Sequence, residues 1–453
     1  MPASTTRRAT RPRTTASASA GGTSGGRSGP RRAAILGGNR IPFARANGKY
    51  AKASNQDMLT AALEGLVARF GLAGERIGEV AGGAVIKHSR DFNLTREAVL
   101  GSSLAATTPA YDVQQACGTS LETTILVANK IALGQVESGI AGGVDSASDA
   151  PIAVSEGLRK ALLRANAART PVDRAKAFAS IRPAHLAPAA PRNVEPRTGL
   201  SMGEHMALTA KEWGISREAQ DELTLRSHQR LAVAYENGFF DDLVTPYLGV
   251  SRDTTLRPDT SLEKLASLPP VFGKGEGATM TAGNSTPLTD GASAVLLGSD
   301  AWAAEHGLTP LAYFVDAETA AVDYVHGGEG LLMAPSYAVP RLLARVGMKL
   351  QDFELVEIHE AFASTVLTTQ AAWLDEAFCR DRLGLDAPLG AIDQDRLNVT
   401  GSSLATGHPF AATGGRIVPT LAKLLHEKGS GARGLISICA AGGQGVVAVV
   451  EAA

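Results

Sequence analysis

The chain has 453 residues, 44% of them hydrophobic and 20% charged, with a formal net charge of −1. That length exceeds one hydrophobic core and fits two or three packed domains. The near-zero charge argues against a general nucleic-acid binder, and no apolar run reaches the roughly 18 residues of a membrane span. Its three cysteines, Cys117, Cys379 and Cys439, are too few and odd in number for a disulfide framework, so a reducing, cytoplasmic setting is expected.

Residues 1–31 are rich in Arg, Ser, Thr, Ala and Gly, and no acidic residue occurs before Asp57. Such a composition also suits a mitochondrial transit peptide, which keeps the mitochondrial matrix as an alternative location. Pro2, Pro12, Pro30 and the nearby glycines break any long amphipathic helix, so a disordered basic tail is the expectation. Order begins at Arg32. Ala33–Gly38 has a buried-strand pattern, Asp57–Phe70 an amphipathic helix pattern, and Val80–Ile86 a second short strand. Tyr111–Gln115 reads as the end of another strand. A helical run from Thr119 to about Leu133 follows, then a strand over Gly139–Asp145. Alternating strands and helices point to an α/β fold with a mostly parallel sheet.

The texture changes near Ala150. Arg159, Lys160, Arg164, Arg169, Arg174, Lys176 and Arg182 make a basic, largely helical stretch, either a solvated helix face or an attraction for an anionic ligand or partner. Helices follow over Gly203–Trp213 and from Ser216, an N-cap, to Asn237. A strand at Ala292–Gly298 returns to the first sheet. The strand–helix order then restarts: strand Leu311–Ala317, helix Ala338–Val346, strand Phe353–Ile358, helix Ala361–Leu374, helix Thr413–Lys428, and closing strands Leu435–Cys439 and Val446–Val450. The resulting division is a tail over 1–31, a first α/β domain over 32–149 and 278–299, an inserted loop domain over 150–277, and a second α/β domain over 300–453.

Reactive side chains gather at strand ends and glycine-bounded turns. Cys117 lies at a strand-to-helix junction, where unpaired N–H groups and the helix dipole would stabilise a thiolate; the alternative is a buried structural thiol. Glu357–Ala363 (EIHEAFA) holds His359, Asn398–Phe410 holds His408 between Gly407 and Pro409, and Cys439–Gly445 (CAAGGQG) opens on a second thiol. A lone His359 is commonly a satisfied structural residue. Together, two thiols and two imidazoles fit covalent thiol chemistry, with one nucleophile, one activating imidazole and a second thiol to move a proton. A metal site is not expected, because the short Cys-x-x-Cys or His-x-x-x-His spacing of such sites is missing.

With these segments in view the chain resembles the thiolase family over everything after residue 31. It is most similar to bacterial fatty-oxidation thiolases and the trifunctional-enzyme β-subunit branch. The motifs are QQACGTS around Cys117, AGGVDSAS from Ala141, GLSMGEHMA from Gly199, TMTAGNSTPLTDGAS from Thr279, HEAFA, GHPFAATGGR and CAAGGQG. The resemblance implies two similar βαβαβαββ domains in an α/β/α/β/α core, with an inserted helical loop domain over the acyl-CoA site. It implies an acyltransferase that cleaves a 3-ketoacyl-CoA with coenzyme A, or condenses two acetyl-CoA, through an acyl-Cys117 thioester. By the same resemblance His408 activates Cys117 and faces an oxyanion. Cys439 is then the general acid/base on the α-carbon, His359 holds an oxyanion water, and Ala441 offers a backbone oxyanion donor. Coenzyme A is a substrate, not a bound cofactor, and its contacts fall on Met202, Arg257, Phe272, Ala282, Gly283, Thr286, Ala361 and Phe362. Arg257 could meet a phosphate, the alternative being a surface salt bridge.

Two departures from the common family pattern stand out: His359 replaces an Asn frequent in biosynthetic members, and the segment before GHP reads Gly401-Ser402-Ser403-Leu404. Two rival readings remain. A decarboxylating condensing enzyme of the ketoacyl-synthase type would use Cys117, His359 and His408 without needing Cys439. Alternatively the chain serves mainly as a β-subunit docking a hydratase/dehydrogenase partner. By analogy the assembly is a homodimer or homotetramer.

Overall fold

The structure is a computed structural model that describes residues 31–273, 275 and 277–453. The tail expected over residues 1–31 lies outside these residues except for Arg31. Its backbone N–H donates to the Ala132 carbonyl at 3.0 Å, and its guanidinium pairs with Glu137.

Its strands, in chain order, are β1 Ala33–Arg40, β2 Ala44–Arg45, β3 Glu79–Gly82, β4 Ala110–Asp112, β5 Ser138–Ser146, β6 Pro270–Phe272, β7 Met280–Thr281, β8 Thr289–Gly298, β9 Ala312–Ala321, β10 Leu355–Ile358, β11 Arg433–Ala440 and β12 Gln444–Ala452. A ten-stranded sheet runs β10-β11-β12-β9-β1-β8-β5-β3-β4, with β2 on β8, while β6 and β7 pair separately. One scheme occurs twice in it. In the first half β3 is parallel to β4 and β5, β5 antiparallel to β8, and β8 antiparallel to β1. In the second, β10 is parallel to β11 and bridges in parallel from Val356 to Leu397, β11 is antiparallel to β12, and β12 to β9. The halves join where Ala33, Ala34 and Ile35 of β1 pair with Phe314, Tyr313 and Ala312 of β9.

Period-two alternation along the strands sorts side chains into layers. Val295 and Leu297 of β8 and Val446, Ala448 and Val450 of β12 share one buried core with the helices Thr119–Ala132 and Thr413–Lys428, which lie between the half-sheets. The intervening Ala294 and Leu296 face the helix Asn55–Phe70 on one outer side. Val447 and Val449 face the helices Ala334–Val346 and Ala363–Leu374 on the other. The order is therefore helix, sheet, helix, sheet, helix. Strands covered on both faces read as continuous apolar runs, and β5 and β8 are buried along their whole length.

Between β5 and β8 stand the helices Glu156–Ala167, Pro171–Ala179, Met202–Glu212, Arg217–Glu236 and Leu262–Ala266. Ser155, Thr170, Ser201, Ser216 and Ser261 cap them, each accepting a first-turn N–H. The strand expected through Ile86 ends at Gly82. Beyond it the N–H groups of Val85 and Ile86 turn to the Asp145 carboxylate instead of continuing a ladder. Among the described residues no helix is long and apolar enough to cross a membrane.

Candidate active site

Cys117 sits just before the helix Thr119–Ala132, on a turn that passes through Ala116 in the left-handed region (φ 46°). Thr119 holds that turn: its hydroxyl donates to the Ala116 carbonyl at 2.7 Å and accepts the Gln115 N–H at 2.9 Å. A Cβ on Gly118 would meet Val446 Cγ2 at 2.6 Å, so a glycine is needed for β12 to approach this closely. The helix terminus does not by itself yield the expected thiolate. Burial pushes the Cys117 thiol up to about 12, against the backbone N–H groups of Ala441 and Cys117, which pull it down. Burial thus favours the thiol form of Cys117.

His408 stands against this thiol. Gly407 takes φ 93°, and the His408 N–H donates to Thr289 Oγ1 at 2.8 Å. The imidazole spans two partners, Thr413 Oγ1 at 2.6 Å from Nδ1 and Cys117 Sγ at 3.0 Å from Nε2. Burial, then the Arg416 charge, lowers this imidazole to about 3. A neutral imidazole thus faces a neutral thiol, an arrangement that allows the proton to pass to the ring as the sulfur attacks a carbon. Asp145 anchors the loop by accepting the Ala411 N–H at 2.8 Å.

His359 follows β10, with its ring centroid 4.1 Å from that of His408. Its Nδ1 lies 2.8 Å from Ser403 Oγ, while Nε2 is buried without a hydrogen-bond partner. Burial, His408 and Arg416 hold it well below the ordinary imidazole range. Cys439, near the end of β11, is 3% exposed, and burial together with nearby Cys117 raises its thiol. Ligand atoms of Cys117, His359 and His408 all lie within 4.8 Å of one another, the trio best placed to hold a metal among the described residues. Both Nδ1 atoms in it are already taken by hydroxyls. The arrangement suits a nucleophile, a base and a hydrogen-bond donor around one reacting carbon.

The residues expected to touch coenzyme A divide into two groups. Met202, Phe272, Ala361 and Phe362 share an apolar cluster with Cys439, and the Phe272 and Phe362 rings meet edge-on at 5.9 Å. Thr286 joins them, its N–H and hydroxyl both donating to the Ala361 carbonyl, at 3.2 and 3.0 Å. Ala282 and Gly283 sit on a tight turn in which the Asn284 side chain accepts the Thr281 N–H at 2.7 Å. Arg257 makes no hydrogen bond or ion pair to this cluster among the described residues. Its backbone N–H donates to His228 Nδ1 at 3.2 Å, and its exposed side chain forms no salt bridge there.

Sequence reasoning missed the supports behind these groups. Arg416 donates to Ser403 Oγ at 2.8 Å and Ser402 Oγ at 3.1 Å. Glu360 accepts from Ser227, Asn398 and the Leu404 N–H. Glu195 accepts the Gly442 N–H at 3.1 Å and so steadies the turn after Cys439. Arg416 stands inside GHPFAATGGR, but a sequence motif does not say which members touch.

Two family descriptions match this chain: "Thiolase, N-terminal domain" over residues 33–301 and "Thiolase, C-terminal domain" over 308–452. A 3-ketoacyl-CoA thiolase of Yersinia enterocolitica is 40% identical over 93% of this chain and 97% of its own length. One from Pectobacterium carotovorum is 41% identical over 93% and 96%. Among solved structures, the Bacillus anthracis acetyl-CoA acetyltransferase has TM-score 0.77 at 29% identity, covering 94% of this chain and 100% of that one. Human mitochondrial 3-ketoacyl-CoA thiolase in complex with CoA has TM-score 0.76 at 26% identity, covering 93% and 98%. With both halves of the chain matched and the paired α/β architecture in place, the protein belongs to the thiolase family.

Proposed function

We propose that this acyltransferase cleaves a 3-ketoacyl-CoA with coenzyme A to acetyl-CoA and a shortened acyl-CoA, and runs the reverse condensation, through an acyl-Cys117 thioester. The observation that carries the reading is the 3.0 Å contact between His408 Nε2 and Cys117 Sγ, with Cys439 buried close by. His408 takes the thiol proton as Cys117 attacks the ketone carbon. The backbone N–H groups of Cys117 and Ala441, both directed at this sulfur, stabilise the resulting oxyanion. Breaking the α–β carbon bond then expels the acetyl-CoA enolate. His408 and a water on His359 stabilise its oxygen, and Cys439 delivers a proton to its carbon. Coenzyme A finally attacks the thioester and frees Cys117.

The loop domain over 150–277 covers the acyl-CoA site in this reading, a placement supported by Met202 and Phe272 reaching the cluster around Cys439. Coenzyme A comes and goes as a substrate along Met202, Phe272, Ala282, Gly283, Thr286, Ala361 and Phe362, with Arg257 toward its phosphates. A decarboxylating condensing enzyme has no use for a second buried thiol, and Cys439 weighs against it. The protein works as a homo-oligomer in the cytoplasm. A partner subunit would dock on the helices Glu156–Ala167 and Pro171–Ala179, where Leu163, Val172 and Phe178 are 54%, 62% and 49% exposed beside the basic side chains.

The test is turnover. Purified protein with coenzyme A and 3-ketoacyl-CoAs of increasing chain length should consume the ketoacyl enolate absorbance only when coenzyme A is present, and the series ranks its substrates. Absence of turnover with every member would overturn the reading.

A further inference from the structure

The contacts behind His359 settle a question that the imidazole alone leaves open, namely which nitrogen carries its proton. Ser403 Oγ is fully buried with two neighbours among the described residues, Arg416 at 2.8 Å and His359 Nδ1 at 2.8 Å. A guanidinium nitrogen can only donate, so Ser403 Oγ accepts from Arg416. The hydroxyl proton then has one acceptor in reach, the lone pair of His359 Nδ1. A neutral imidazole that accepts at Nδ1 carries its own proton on Nε2. That is the nitrogen left buried and without a hydrogen-bond partner. It belongs to a ring whose centroid lies 4.1 Å from that of His408, with the two planes tilted by 46°.

We propose that Ser403, aligned by Arg416, is a positioning residue that fixes His359 as an Nε2–H donor aimed into the active site, so that His359 serves the enolate oxygen and not the proton of Cys117. The inference rests on the thiolase reading above. It divides the two imidazoles by tautomer. His408 presents a bare Nε2 to the thiol and donates its Nδ1–H to Thr413 Oγ1, whereas His359 presents an N–H. Two adjacent rings of the same chemistry thereby enter the reaction in opposite hydrogen-bonding states. The positive charge of Arg416 also disfavours protonation of both rings, which keeps each in the neutral form its role requires. Glu357 completes the chain behind Arg416, 4.0 Å from its guanidinium.

The experiment is a double-mutant cycle read on two half-reactions. Thiolysis of acetoacetyl-CoA needs the enolate donor, whereas exchange of labelled coenzyme A into acetyl-CoA needs only acylation of Cys117. Ser403→Ala should lower kcat for thiolysis about 10- to 100-fold, short of the roughly 10²- to 10³-fold of losing an oxyanion donor outright because the ring remains, while exchange falls less than about threefold. Ser403→Thr, which keeps the hydroxyl, should restore thiolysis, with melting temperatures checking that each variant folds. In a His359→Asn background the amide NH2 donates whatever Ser403 does, so adding Ser403→Ala should cost less than about twofold more. Losses that multiply across the two sites, or exchange falling in step with thiolysis, would overturn the assignment and leave the thiolase reading standing. An unmutated enzyme with no thiolysis would overturn both.

Discussion

His408 Nε2 lies 3.0 Å from Cys117 Sγ although 291 residues separate them in the chain. The repeated sheet scheme closes that gap. Cys117 leaves the first half after β4, and His408 leaves the second after the segment that bridges to β10 at Leu397. Each is followed by one of the two helices buried between the half-sheets, and a Cβ on Gly414 would meet the Leu121 backbone nitrogen at 2.4 Å. The Cys117–His408 contact is therefore a product of packing two helices against each other at glycine distance.

Separate thiols imply separable steps. Cys439→Ala should leave exchange of labelled coenzyme A into acetyl-CoA within about threefold of the parent. Thiolysis and condensation of ketoacyl-CoA should fall by about 10²-fold or more, within the range of general acid–base catalysis. Equal loss of both half-reactions would contradict the division of labour between Cys117 and Cys439.

Much of this was legible from sequence. Continuous apolar runs marked the buried strands, a strand-to-helix junction flagged His359, and glycine-bearing turns flagged Cys117, His408 and Cys439. Short elements with little periodicity escaped, such as the helix Leu94–Leu100 and the pair β6 and β7, because a few residues carry too little pattern to separate from loop. The thiolate expected for Cys117 is opposed by desolvation: the helix start was visible in the sequence whereas the burial was not. Ser403 drew notice only as a departure from a glycine-rich pattern, since its partners His359 and Arg416 meet it only in the folded chain.

The resting protonation state has a kinetic signature. With Cys117 pushed up to about 12 and His408 down to about 3, both groups stay neutral between about pH 5 and 9. Inactivation by iodoacetamide should then accelerate about tenfold per pH unit across that window, following the thiolate fraction. A pH-independent plateau below neutrality would instead identify a preformed thiolate–imidazolium pair.

Glu357 gives a stability prediction. Burial outweighs the Arg416 charge and raises this carboxyl from its ordinary 4.5 to about 8. A raised folded-state value means that the protonated form is favoured in the fold, so its contribution is complete below pH 4.5 and is lost as pH climbs toward 8. Glu357→Gln should make the fall of melting temperature over that interval shallower, by up to about one proton's worth of slope. An unchanged slope would show that Glu357 is ionised throughout.

Gly143 tests the anchoring of the His408 loop. A Cβ at this position would meet the Ala411 carbonyl oxygen at 2.0 Å, within the loop that Asp145 holds through the Ala411 N–H. Gly143→Ala should cost about 1–3 kcal/mol of stability by overpacking and lower the rate of Cys117 acylation as His408 is displaced. Wild-type acylation in a folded variant would mean that the loop gives way without moving the base.

The central claim is that Cys117 carries the acyl group. The most direct measurement is to mix the enzyme with labelled acetyl-CoA, quench in acid, digest, and locate the label by mass spectrometry. The account predicts one acetyl group per subunit on the peptide containing Cys117, none in Cys117→Ala, and its release as acetyl-CoA when coenzyme A is added before the quench. Label on Cys439, on Cys379 or on any other residue of the intact enzyme would contradict it.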